Sequence, residues 1–249
     1  MRRILLFFIR PYLRFHAQQV LSTAMNPEMT QNRTFSQLKK NLSNSEWARK
    51  NGFLDCHKLE ELCSLPSTNY ENIKTDVSDL KQSEAYASRK ILGSKILGFL
   101  RTSGSSDEPK DIPMTQNYLK SMDRFLMRMV ACAYSSTKSW DQLFSGSQVL
   151  LGSRPTLGIT KTGLPIADVS GLIVTRTWRS LRWLYIPKHS DLWKRSWNER
   201  VLNTIDQSLN KDVRSISGIP ALALDFSERA SKIAPVSYTH LTLPTIYSV

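Results

Sequence analysis

Apolar residues recur at helical spacing over several stretches of this chain, and that period is the first guide to its architecture. The clearest run spans 115 to about 134. There Tyr118, Leu119, Met122, Phe125, Leu126, Met129, Val130 and Ala133 share one face of an amphipathic helix. Upstream, TFSQLKKNL reads as a helix. NSEWARKNG reads as a short one with Ser45 as N-cap and Gly52 as its stop. DCHKLEELCSLP predicts another, capped by Asp55 and closed before Pro66. A longer helix is expected from about 80 to 100, where Gly93 and Gly98 each lower its intrinsic stability by about 1 kcal/mol relative to Ala. Farther on, 175–185 predicts a helix burying Trp178, Leu181 and Leu184 or Tyr185. A following helix, capped by Ser190 or Asp191, repeats Trp193, Trp197, Val201, Ile205 and Leu209 every fourth residue. The apolar run IPALALDF begins one further element.

Between these helices, SGSQVLLGSRPTLGITKTGLP has no helical period and is punctuated by glycine, which predicts short strands at 148–151 and 157–160. The expected fold is therefore mainly α, an irregular helical arrangement with one or two short strands near 148–160. By composition, TSGSSDEPK (102–110) is a linker. It separates a small helical region, 28–101, from a basic helical region, 111–235. Residues 1–27 form a basic amphipathic leader. Residues 236–249 contain no Lys, Arg, Asp or Glu. Back-translated, they resemble the mosaic end and adapter of a transposase-made sequencing library. The expectation is that they are an artefact and that the natural reading frame is cut near Pro235.

Charge changes the picture. The 249 residues carry 34 lysines and arginines against 21 aspartates and glutamates, a formal charge of +13. Such a balance points to a polyanionic partner, RNA or an anionic membrane surface. With 41% hydrophobic and 22% charged residues, the chain is neither disordered nor a membrane bundle. No apolar run approaches the ~18–20 residues that a spanning helix needs. The leader, MRRILLFFIRPYLRFHAQQVLSTAMNP, is rich in arginine and has no acid before Glu28. That is the composition of a mitochondrial transit peptide, although Pro11 would interrupt its helix. A membrane-surface anchor and a buried amino-terminal helix are the other readings of the segment.

Candidate chemistry is sparse. Cys56, His57 and Cys63 cluster without a CxxC pair, so a closed zinc site is unsupported, and Cys63 and Cys132 read as small core residues. An odd number of cysteines without a secretory leader fits a reducing compartment. GITKTG lacks the glycine that a phosphate loop places before its lysine. Lys120, Arg124 and Arg128 stand four apart and form a basic stripe. Arg176, Arg179, Arg182, Lys188, Lys194, Arg195 and Arg200 follow, interleaved with Trp178, Trp183, Tyr185, Trp193 and Trp197. Guanidinium groups bind phosphates and indole faces stack on bases, so the mixture suits single-stranded RNA. The same tryptophans, at helical spacing, equally read as core. These ten cationic residues are the candidate RNA-binding set. The residues alone point to no catalytic group, metal ligand or small-molecule substrate.

The order YLKSMDRFLMRM, VLLGSRPTLGITKTGLP and VTRTWRSLRWLYIP resembles the amino-terminal region of mitovirus RNA-dependent RNA polymerases. Tyr118, Leu119, Lys120, Gly163, Leu164, Pro165, Arg176, Leu181, Leu184, Tyr185 and Pro187 carry the resemblance. It implies a fragment of a viral nucleotidyltransferase that guides template RNA. The Mg-binding aspartates would lie beyond residue 235, and no cofactor would be held here. Two other functions fit the charge and leader: a nuclear-encoded mitochondrial RNA-binding or ribosome-associated protein, and a membrane-surface adaptor.

Overall fold

The structure, a computed structural model, describes residues 2–82, 91–102, 108–136, 145–176, 179–192 and 196–233. The chain is mainly α, as its pattern implies, and its strands gather into two small sheets. It opens with α1 (Arg2–Met25), α2 (Pro27–Leu42) and α3 (Glu46–Lys50). A 3-10 turn (Leu59–Ser64) and α4 (Tyr70–Gln82) follow. Next come β1 (Ile96–Arg101), β2 (Asp111–Thr115) and α5 (Gln116–Ser136). After α5 lie β3 (Ser147–Leu151), β4 (Gly158–Ile159), β5 (Pro165–Asp168) and α6 (Val169–Thr175). The last elements are β6 (Tyr185–Ile186), α7 (Trp197–Leu209), β7 (Val213–Gly218) and α8 (Pro220–Ile233).

The first sheet has the order β2-β1-β5-β4. β1 pairs antiparallel with β2 and parallel with β5, and Arg101 stands opposite both Asp111 and Asp168. Both faces of β1 are covered. Ile96 and Phe99 pack with Val77 and Leu80 of α4, while Leu100 packs with Leu119 and Met122 of α5. A bulge between Ile96 and Gly98 lets one short strand serve both cores. The second sheet, β6-β3-β7, is wholly parallel. Val149 and Leu151 of its central strand pack with Val201 and Ile205 of α7 and Phe226 of α8.

Several sequence expectations are corrected here. The helix expected over 80–100 is α4, ending at Gln82, together with a helical Ile91 and Leu92 and then a strand; residues 83–90 lie outside the described set. A strand buried on both faces loses its alternation and looks like a continuous apolar run, which periodicity cannot tell from a helix. Gly93 makes the break. It has φ +69°, and a Cβ there would lie 3.2 Å from the Asn41 carbonyl in the last turn of α2. The segment 102–110 joins β1 to β2, which pair antiparallel. The 175–185 helix is instead the end of α6 and a 3-10 turn at Arg179–Leu184. Asp55 and Ser190 or Asp191 are not caps: the first helix is the 3-10 turn from Leu59, and Ser196 caps α7 with a full capping box to Glu199. Cys63 is exposed and Cys132 half-buried, whereas Cys56 is buried.

Other expectations hold. Ser45 caps α3 through the Ala48 N–H, and its hydroxyl donates to the Ile91 carbonyl at 2.6 Å, tying α3 to the helical residues ahead of β1. Strands lie at 147–151 and 158–159. Pro11, by contrast, does not interrupt its helix as expected: α1 runs through it, with Leu13 and Ala17 buried against Ala131 of α5. No helix among the described residues is long and apolar enough to cross a membrane.

Candidate functional site

A cleft of about 560 Å³ opens where α4 meets the mouth of the β1–β2 hairpin. Its floor is built around one carboxylate. Asp111, the first residue of β2, is 2% exposed and accepts from Arg101 Nε at 2.8 Å and Nη2 at 2.9 Å. Lys81, at the end of α4, pairs with the same carboxylate. The cross-strand register puts Arg101 opposite Asp111, and the last turn of α4 delivers the lysine. Tyr70 closes the arrangement from the first turn of α4: its hydroxyl accepts from the Asp111 N–H at 3.1 Å and donates to the Asp111 carbonyl at 3.3 Å.

Electrostatics follows from this geometry. Burial alone would raise the Asp111 carboxyl pKa. The hydrogen bonds from Arg101 and Lys81 outweigh it and hold the group below its ordinary value. The guanidinium of Arg101 is raised in turn, chiefly by its bond to Asp111. Nearer the rim, Lys74 bridges Glu108 at 3.2 Å and Glu71 at 3.6 Å. Lys110 lies over the Tyr70 ring at 5.7 Å and makes no ion pair with a described residue. The hairpin mouth is laced by Thr102 N–H to the Lys110 carbonyl and Lys110 N–H to the Thr102 hydroxyl, at 2.9 and 3.0 Å. The intervening SGSSD, 103–107, lies outside the described residues. Among the described residues that line the cleft, Lys110 is thus an ammonium without an ion pair. Among the described residues no group of three His, Cys, Asp or Glu could hold a metal ion.

Among the described residues, none of the candidate RNA-binding set lines this cleft. Lys120 and Arg124 are exposed on α5, and Arg128 of the same helix is half-buried. Arg176 reaches back to α5, where Asp123 accepts from its Nε at 2.6 Å and also pairs with Nη2. Arg179 and Arg182 stand on the 3-10 turn before β6, and Arg182 Nε is buried without a hydrogen bond. Lys188 is exposed, and Lys194 and Arg195 lie outside the described residues. Arg200 is 5% exposed in the first turn of α7, its guanidinium 5.7 Å from the Trp197 ring. Trp197 packs against the second core and donates its indole N–H to Asp225 at 2.7 Å, so it is core, while Trp183 is exposed. Trp178 and Trp193 lie outside the described residues. A basic count in sequence therefore mixes exposed, paired and buried cations.

Sequence reasoning missed the Arg101–Asp111–Lys81 cluster because it took 96–101 as helix. The signal was present in an acid ten residues beyond a basic strand end, flanking a turn-rich segment.

A model of the GH3 family N-terminal domain matches residues 16–202, most of the chain. Two solved structures share its fold, each at 18% identity. One, a GH3.15 acyl acid amido synthetase, superposes with a TM-score of 0.52 over 66% of this chain and 28% of its own. The other, AtGH3.15 acyl acid amido synthetase in complex with 2,4-DB, gives 0.56 over 72% and 31%. The chain thus spans less than a third of the length of those structures. No curated protein matches it in sequence. The family match overturns the resemblance to mitovirus polymerases and, with it, the viral and mitochondrial RNA-binding readings and RNA as the partner. Mg as a polymerase cofactor loses its premise too. The short motifs behind that resemblance are an amphipathic helix, a GLP turn and a basic apolar segment, all of which many folds produce.

Proposed function

The chain belongs to the GH3 family, and from that premise we propose that it is the amino-terminal portion of an acyl acid amido synthetase, joining the carboxyl group of a small organic acid to an amine. The family match over 16–202 carries this reading. The fold shared with two such synthetases supports it, one of them in complex with the small molecule 2,4-DB. A small-molecule substrate accordingly replaces RNA.

The chemistry sets a requirement. A free carboxylate and an amine do not condense in water without activation of the acid, because the carboxylate is a poor electrophile and bulk water favours hydrolysis. A phosphoryl or nucleotidyl donor must supply that activation, and its charged oxygens need cations held in place. The cleft beside the β1–β2 hairpin meets the need: Lys110 faces it without an ion pair among the described residues, and the Asp111 cluster anchors both strands of the hairpin. Arg101 and Lys81, bound to Asp111, fix the floor rather than the ligand.

The test is amide formation by the protein encoded in the complete transcript, supplied with 2,4-DB or other organic acids, amino acids and a nucleoside triphosphate, and read by mass spectrometry. Amide dependent on all three components is expected. The Lys110→Ala variant should raise the KM for the triphosphate about tenfold, the loss of one charge-assisted contact. No amide from any acid in the panel would overturn the proposal.

A further inference from the structure

Among the described residues, four cations line the cleft at the hairpin mouth, and three of them are held by carboxylates. Lys81 and Arg101 pair with Asp111, and Lys74 pairs with Glu108 and Glu71. Lys110 is held differently. It makes no ion pair with a described residue, and its Nζ lies 5.7 Å from the centroid of the Tyr70 ring. That difference decides what an incoming anion meets. A carboxylate cancels an ammonium's charge and occupies its N–H donors. An aromatic face attracts the ammonium through the ring quadrupole, which orients it and leaves its charge and remaining N–H groups for a ligand.

Tyr70 is fixed to the same hairpin. Its hydroxyl accepts from the Asp111 N–H and donates to the Asp111 carbonyl, so the ring is anchored one residue from the lysine it faces. The backbone of Lys110 is anchored as well, by its two bonds to Thr102 across the hairpin. Helix α4 presents the ring because Tyr70, Lys74, Val77 and Lys81 recur at three- and four-residue spacing. That spacing brings them to one face of the helix, and all four line the cleft. Backbone and ammonium of Lys110 are thus both restrained before any ligand arrives. An unrestrained lysine would lose rotamer freedom on gripping an anion, and the ring removes much of that loss in advance.

We propose that Tyr70 is a positioning residue for the phosphoryl donor. Its ring holds the Lys110 ammonium at the cleft without neutralising it, while its hydroxyl serves the structure of the hairpin. The hold on Lys110 stands on the geometry alone. Its consequence for the donor rests on the amido synthetase reading.

Lysine NMR and kinetics test the hold and its consequence separately, in the protein encoded by the complete transcript. Reductive methylation with isotope-labelled formaldehyde keeps the lysine charge and gives each ammonium a methyl signal. Methyl protons over a ring face resonate upfield. An upfield Lys110 signal is therefore expected, absent in Lys110→Arg, lost in Tyr70→Leu and retained in Tyr70→Phe. With ATP as the probe, Tyr70→Leu should raise the KM for ATP about threefold, the loss of one exposed cation–π contact, without a matching rise in the KM for the organic acid. Tyr70→Phe should recover most of that loss, and in a Lys110→Ala background Tyr70→Leu should add nothing. No upfield Lys110 signal in the parent overturns the proposal even if Tyr70→Leu fails to fold. A Tyr70→Phe KM as high as that of Tyr70→Leu, or an undiminished Tyr70→Leu effect without Lys110, assigns the change to structure and overturns it too. An upfield signal that depends on Tyr70, in a protein that forms no amide, would refute the synthetase reading and leave the hold on Lys110 standing.

Discussion

Replacing Asp111 with asparagine asks how much the charge cluster at the hairpin mouth contributes to stability. The substitution keeps the side chain's shape and removes the charge that Arg101 and Lys81 share. Breaking a fully buried pair from one side costs about 3–5 kcal/mol, because the remaining charge is left unpaired. Here the discount is substantial: the Arg101 and Lys81 side chains are 37% and 31% exposed, so both cations regain water once released. The expected loss is therefore roughly 2–3 kcal/mol. Urea unfolding followed by circular dichroism reads it directly. With a slope of about 2 kcal/mol per molar, the midpoint should fall by about 1–1.5 M. Pairing the change with Arg101→Met should recover part of that loss, since the double variant no longer strands the arginine. A midpoint within about 0.3 M of the parent, or double-variant losses that simply add, would show that Asp111 is not the anchor of the hairpin.

Two further outcomes follow from the same contacts. The folded Asp111 carboxyl titrates below its ordinary value, so its contribution is complete above the unfolded pKa of about 3.9 and is lost as pH falls through the folded value. The stability gap between the parent and Asp111→Asn should therefore be constant near neutrality and close in acid, and a gap that widened on acidification would contradict that sign. Gly218→Ala should destabilise by about 1–3 kcal/mol or more, because Gly218 has φ +152° and its new Cβ would lie 2.1 Å from the Leu151 carbonyl on β3. An unchanged urea midpoint would refute that close approach.

Local chemistry was legible in the sequence wherever one helix face or one cap decides the outcome. The amphipathic period placed α5, the polar residue ahead of EWARK gave Ser45 as a cap, and glycine-punctuated β-branched residues located β3 and β4. Each of these signals acts over a few residues, and so survives without tertiary context. Positive charge was equally plain, yet it named the wrong partner, because a count of arginines does not say which are paired or buried. Arg176 is bound to Asp123, fifty-three positions earlier in the chain, and Arg200 is sealed against Trp197.

Only the tertiary structure decided the identity of 96–101. Its apolar run lies between α4 and α5, and two buried faces erase the alternation that marks a strand. The same is true of the charge pairs. Asp111 meets Arg101 through strand register and Lys81 through helix packing, and Arg176 meets Asp123 through the packing of α6 on α5. The sequence by itself determined which segments would coil and that the chain would be basic. The pairing of strands far apart in the chain determined which charges face one another, since the free energy of such contacts resides in burial and in partners that local spacing does not encode.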